Sequence, residues 1–119
     1  SSMMDMTIDE LRALTPEAAF QSQVIAYART LGWRVAHFRP VRTMHAGKVR
    51  YMTPVQADGA GFPDLVLVRD GRLLFIELKT EKGQLTQDQF AWREALLLCG
   101  QEYFVFRPSM WAEIERILT

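Results

Sequence analysis

Gly61-Phe62-Pro63-Asp64-Leu65-Val66-Leu67-Val68-Arg69-Asp70-Gly71-Arg72-Leu73-Leu74-Phe75-Ile76-Glu77-Leu78-Lys79 decides how this chain folds. Two apolar runs flank Asp70-Gly71, the residue pair that a two-residue type I′ turn demands. The stretch therefore reads as a β-hairpin, and its turn fixes the register. With Asp70 and Gly71 as the loop, Arg69 faces Arg72, Val68 faces Leu73 and Val66 faces Phe75. Counting on, Asp64 faces Glu77. Opposed side chains lie roughly 4.5–5.5 Å apart at Cβ, so two carboxylates there repel unless something positive compensates. Lys79 lies two residues beyond Glu77 and projects from the same strand face. A divalent cation is the other source of positive charge.

The chain has 119 residues, one domain with room for a real core. Its 49% hydrophobic and 24% charged residues are those of an ordinary globular protein. No apolar run approaches the roughly 20 residues of a membrane span, and no stretch reads as a secretory signal, so neither is expected. The single Cys99 rules out an internal disulfide and a cysteine-based zinc site. It follows Leu96-Leu97-Leu98, reads as a buried inert thiol, and fits an intracellular, cytoplasmic setting. Formal net charge is zero, yet no Asp or Glu occurs from Ala18 to Ala57. That stretch carries Arg29, Arg34, Arg39, Arg42, Lys48 and Arg50, with His37 and His45. A basic zone in a neutral chain points to a polyanion contact; the plainer reading is a solvated loop.

Taken in order, residues 1–14 form an N-terminal extension with a weak helical spacing, and the domain proper covers 15–119. Thr15-Pro16 is an N-cap followed by an N1 proline, and Gly32 ends the helix it starts. Phe20, Val24, Tyr27, Ala28 and Leu31 make the apolar stripe, with Glu17 and Gln21 in line with it. Trp33 to Phe38 reads as a strand, and residues around His45-Ala46-Gly47 as the turn of a second hairpin. Beyond Lys79, Thr86 caps a helix and Gln89 completes a capping box. Leu85, Gln89, Trp92 and Leu96 share one face of that helix, widened by Phe90 and Leu97. A strand at Tyr103–Phe106 and a helix from Pro108 complete an α-β-β-β-α-β-α order. The fold class is α/β, a mixed sheet flanked by helices.

Two carboxylates and an ammonium on one face suit a hard cation such as Mg²⁺ or Mn²⁺. Such ions take oxygen from one or two carboxylates, with waters and substrate phosphate completing the shell. Asp64 and Glu77 supply those oxygens, and the backbone carbonyl of Leu78 is within reach to join them. Lys79 would orient water or offset charge in the transition state. This is the equipment for phosphodiester hydrolysis. The plainer alternative is an edge-strand salt bridge between Lys79 and a carboxylate, worth about 0–1 kcal/mol if exposed.

Gly61-x-Pro63-Asp64, twelve intervening residues, Glu77-x-Lys79 and then Gln89-x-x-Trp92 resemble the PD-(D/E)XK nuclease superfamily, and within it the VRR-Nuc family. The resemblance runs from about Glu17 to Arg107, and no hallmark residue departs from the pattern. It implies a restriction-endonuclease-like αβββαβ core and an active Mg²⁺- or Mn²⁺-dependent deoxyribonuclease of phage or bacterial type. Asp64 and Glu77 would bind the metal, Lys79 would be the catalytic lysine, and Glu17 would complete the site. Gln89 would position substrate or Lys79. The resemblance also implies branched DNA such as a Holliday junction as substrate, and a homodimer with one site per strand. Arg39, Arg42, Lys48 and Arg50 would then hold backbone phosphates. A non-catalytic nucleic-acid-binding module on the same fold, or a duplex or flap nuclease, are the alternative readings. His37 and His45 lack metal-ligand spacing, and their roles stay open.

Overall fold

The computed structural model describes residues 16–38, 41–45, 47–52 and 56–119, and of 41–45 and 48–52 the backbone alone. The N-terminal extension 1–14 and the Thr15 cap lie outside these residues. Helix α1 (Pro16–Thr30) leads through Gly32, at φ +90°, into β1 (Arg34–His37). Strands β2 (Val41–His45) and β3 (Lys48–Met52) pair antiparallel about Gly47 as a separate ribbon, the second hairpin that the sequence suggests. Then come β4 (Leu65–Arg69), β5 (Arg72–Leu78), α2 (Gln87–Leu98) and β6 (Glu102–Phe106). A 3₁₀ turn (Pro108–Met110) runs into α3 (Trp111–Leu118).

The main sheet has the order β1-β4-β5-β6, antiparallel except for the parallel β5–β6 pair. Asp70 and Gly71 at φ 49° and 79° give the type I′ turn that Asp-Gly favours. The expected register holds: Arg69 pairs with Arg72, Val68 with Leu73 and Val66 with Phe75. Period-two alternation then sorts the side chains onto two faces. Leu65, Leu67, Leu74, Ile76, Leu78 and Phe106 enter a core with Phe20, Val24 and Ala28 of α1 and Ile114, Ile117 and Leu118 of α3. Glu77 belongs to the other face with Phe75 and Tyr103, and α2 covers that face through Trp92 and Leu96.

Two sequence expectations are corrected at α2. Phe90 and Leu97 do not widen its packed face; they stay 50% and 42% exposed. Cys99 is exposed rather than buried, because it is the C-cap residue at the end of a helix whose preceding Leu98 is itself 88% exposed. A helical period tells which residues share a side, not whether another element covers that side.

Candidate active site

Asp64 sits one residue before β4, just beyond the Leu65–Ile76 pair that ends the ladder. Two backbone contacts hold it there. Its carbonyl accepts the Phe38 N–H at 3.0 Å, and its Oδ2 accepts the Leu78 N–H at 2.8 Å. The second contact aims the carboxylate across the hairpin toward Glu77. Leu78 thus serves the pair through its amide.

The residues before Asp64 are strapped onto α2. Trp92 Nε1 donates to the Asp58 carbonyl at 3.0 Å. Phe62 lies edge-to-face against Phe38, Phe75 and Trp92, with centroids 5.4, 6.0 and 4.9 Å away. Gly61, at φ +81°, lies so close to the first turn of α2 that a Cβ would meet the Asp88 carbonyl carbon at 2.4 Å and the Gln89 nitrogen at 2.6 Å. Only glycine fits, for space and for backbone angle alike. The approach brings the Pro63-Asp64 segment and the helix bearing Gln89 together over Glu77.

Gln89 works in two directions at once. Thr86 Oγ1 accepts the Gln89 N–H at 3.2 Å, and Gln89 Oε1 accepts the Thr86 N–H at 2.9 Å, the reciprocal capping box. The other end of the same amide, Nε2, donates to Glu77 Oε1 at 3.1 Å. The helix cap therefore fixes the rotamer that restrains the buried carboxylate.

Glu77 is 2% exposed, the one buried charged residue among those described. Its Oε2 is buried and receives no hydrogen bond from a donor group. Its pKa is pushed up to about 9, first by burial and then by the charge and hydrogen bonding of Asp64, with Lys79 pulling the other way. No ion pair joins Lys79 to either carboxylate among the described residues, so the edge salt bridge is not formed. A buried acceptor with no donor is costly. An orphaned carboxylate oxygen beside a second carboxylate is what a hard divalent cation would fill. Among the described residues no three His, Cys, Asp or Glu cluster in a way that could hold an ion. A pair is enough for a Mg²⁺-like ion, which is held through one or two carboxylates and keeps several waters.

Glu17 lies exposed in the first turn of α1 and joins no such cluster. The stripe alignment that pointed inward at the sequence level buries Phe20, Val24 and Ala28 but leaves Glu17 in solvent. His37 pairs with Leu65, next to the Asp64 contact. Arg39 lies outside the described residues, as do the side chains of Arg42, His45, Lys48, Arg50 and Tyr51. Arg29 and Arg34 stand at the hairpin-tip end of the sheet, where they line a cleft of about 460 Å³ with Gly32, Trp33 and Val35. They are therefore not part of a cationic patch at the carboxylates.

Sequence reasoning missed Tyr103. Burial, and then the Glu77 charge, push its phenol up to about 12, while Arg93 of α2 acts in the opposite direction. Tyr103 pairs with Phe75 on the site face. Only the parallel β5–β6 register reveals this, and no turn motif sets that register.

No helix among the described residues is long and apolar enough to cross a membrane. The comparison with curated proteins gave no match. The family model of the VRR-NUC domain matches residues 8–109, which spans the Gly61–Asp64 approach, the Glu77-x-Lys79 strand end, the Gln89 helix and β6. The geometry just described is thus that of a nuclease-type, DNA-acting domain, and the chain belongs to the VRR-NUC family.

Proposed function

We propose that this domain hydrolyses phosphodiester bonds in DNA with the help of Mg²⁺ or Mn²⁺. The observation that carries the reading is the orphaned, buried Glu77 Oε2 beside the Asp64 carboxylate. A fold does not keep two acids in that relation for stability, since burying Glu77 beside Asp64 costs free energy whether the charge is kept or a proton is held far above the ordinary carboxylate range to remove it. A bound divalent cation supplies positive charge to a phosphate oxygen and acidifies water. Asp64 and Glu77 are the residues that would hold it, with the Leu78 carbonyl alongside. Lys79, whose charge already acts on Glu77, offsets negative charge on the phosphate and orients the attacking water. Gln89 keeps Glu77 turned so that one oxygen stays open.

The proposed substrate class is branched DNA such as a four-way junction, cut by a homodimer with one site per strand; the family likeness supports both. Arg39, Arg42, Lys48 and Arg50 are proposed as phosphate contacts, which hold DNA without reading sequence. A cleavage panel on labelled four-way junction, flap, duplex and single-stranded DNA tests this, run with Mg²⁺, Mn²⁺ or EDTA beside Asp64→Asn. Metal-dependent cutting that vanishes in the variant is the expected result. Binding without cutting by folded protein would favour a non-catalytic DNA-binding module, and cutting of flap or duplex alone would remove the junction preference.

A further inference from the structure

Lys79 stands just past the end of β5, where the sheet no longer holds the backbone on both sides. Its amide donates to the Phe106 carbonyl at 3.0 Å. Immediately after it the chain turns: the Gly83 N–H donates to the Thr80 carbonyl at 3.3 Å and to Thr80 Oγ1 at 3.1 Å. This turn lies against the lysine's aliphatic stem. A Cβ on Gly83 would stand 3.6 Å from Lys79 Cδ and 2.9 Å from Thr80 Oγ1. The turn 80–83 therefore forms a wall beside the stem.

The turn is gripped from outside. Arg107 Nη1 donates to the Thr80 carbonyl, and to the Glu81 carbonyl at 3.3 Å. The Glu81 carboxylate accepts the Ser109 N–H and, at 2.9 Å, the Ser109 hydroxyl. Arg107 and Ser109 flank Pro108, where β6 gives way to the 3₁₀ turn. Arg107 forms no ion pair among the described residues; its guanidinium is used on backbone carbonyls. These contacts are exposed to water, where hydrogen bonds and charges contribute little to global stability. Their effect is local.

We infer that Arg107, with Glu81 and Ser109, is a positioning device for Lys79, and the inference rests on the reading of Lys79 as the group that acts on the phosphate. A lysine stem is flexible and carries about 2 kcal/mol of rotamer entropy. Seating it on a clamped turn removes that freedom before substrate arrives, and among the described residues no side-chain hydrogen bond or ion pair joins Arg107, Glu81 or Ser109 to Asp64, Glu77 or Lys79.

The test compares wild type, Arg107→Ala and Arg107→Lys on the cleaved DNA, with Mn²⁺ affinity measured separately by calorimetry. In Arg107→Ala, kcat should fall roughly 10-fold or more, while KM and Mn²⁺ affinity hold within about twofold, because misplacement affects the chemical step and not the carboxylate pair. Arg107→Lys keeps one donor and should recover part of the loss. Unchanged kcat in folded Arg107→Ala overturns the inference, as does a parallel loss of Mn²⁺ affinity, which would mean a general disturbance. If wild type cuts none of the substrates, the nuclease reading fails by itself, and amide exchange judges the clamp. In that case the Lys79 amide should exchange roughly 10-fold faster in Arg107→Ala, and an unchanged rate overturns the clamp.

Discussion

The β4–β5 hairpin opposes like charges at both ends, and the protein treats the two ends differently. At the turn end Arg69 and Arg72 are direct partners. Arg69 donates to the carbonyls of Leu31 and Thr119 at 3.0 and 3.2 Å. Arg72 donates to the Ile117 carbonyl at 3.0 Å and takes Glu102 with two nitrogens at 2.9 and 2.8 Å. Both guanidiniums lie over the Trp33 ring, at 4.4 and 5.5 Å, and Trp33 Nε1 itself donates to the Leu118 carbonyl. Both of these guanidiniums are answered from within the chain. At the open end Asp64 and Glu77 receive one amide each, from Leu78 and Gln89, and Glu77 Oε2 receives nothing. The same register rule produces both ends. One was completed by the fold and became structure; the other was left incomplete, and that incompleteness is available to a ligand.

If this contrast is right, substitutions at the open end affect chemistry and those at the turn end affect stability. The largest effect is expected from Asp64→Asn: turnover should fall by roughly 10³-fold, as when a preorganised electrostatic group is lost, with weakened Mn²⁺ binding by calorimetry and an unchanged circular dichroism spectrum. Mn²⁺ affinity equal to wild type would break the assignment. Lys79→Ala comes next, with a loss of roughly 10²-fold in kcat and little change in DNA affinity by anisotropy.

Glu77→Gln sharpens the comparison because its two effects have opposite signs. Activity should disappear, yet the metal-free variant at pH 8 should melt higher, by roughly 4 °C, since the Gln amide is neutral without having to hold a proton that the unfolded chain would release. The pH dependence follows the same logic. The pKa of Glu77 in the folded state is raised, so the unfolded chain releases its proton first as pH rises. Its contribution is complete below the ordinary carboxylate range and is lost as pH climbs toward about 9. Metal-free wild type should therefore lose stability across that window, and Glu77→Gln should not. A flat wild-type profile would show that the pair is not repelling.

Glu102 at the turn end behaves in reverse. The Arg72 hydrogen bond lowers its pKa, so its contribution is present above the ordinary carboxylate range and is lost as pH falls. Glu102→Gln should cost under about 1 kcal/mol in urea unfolding, the pair being half exposed, and leave cleavage rates unaltered. A change in kcat would mean that the two ends communicate.

Much of the site was legible because local rules wrote it. Asp70-Gly71 fixed which residues oppose, and Thr86 with Gln89 announced a capping box that the structure retains. What stayed illegible depends on distant partners. Trp33 meets Leu118 across 85 residues, and no local pattern points from one to the other. Arg107 looks like an ordinary exposed arginine until β6 is laid beside β5. Cys99, Phe90 and Leu97 were expected inside because apolar spacing marks a face without saying what packs on it. Glu17 was aligned with the core stripe, but a first-turn carboxylate is well placed in water beside the helix N-terminus, and there it remains.

The parallel pairing of β5 with β6 also sets an order in time. Asp64 and Glu77 belong to a hairpin that closes locally, within roughly 1–10 μs. Lys79 must wait, because its amide partner is Phe106 and the grip on its turn is Arg107. At roughly 5–20 residues per second of synthesis, seconds separate the emergence of the two halves. The contacts that seat the lysine are therefore the last of the site to become available during synthesis, after the hairpin and after the helix that carries Gln89.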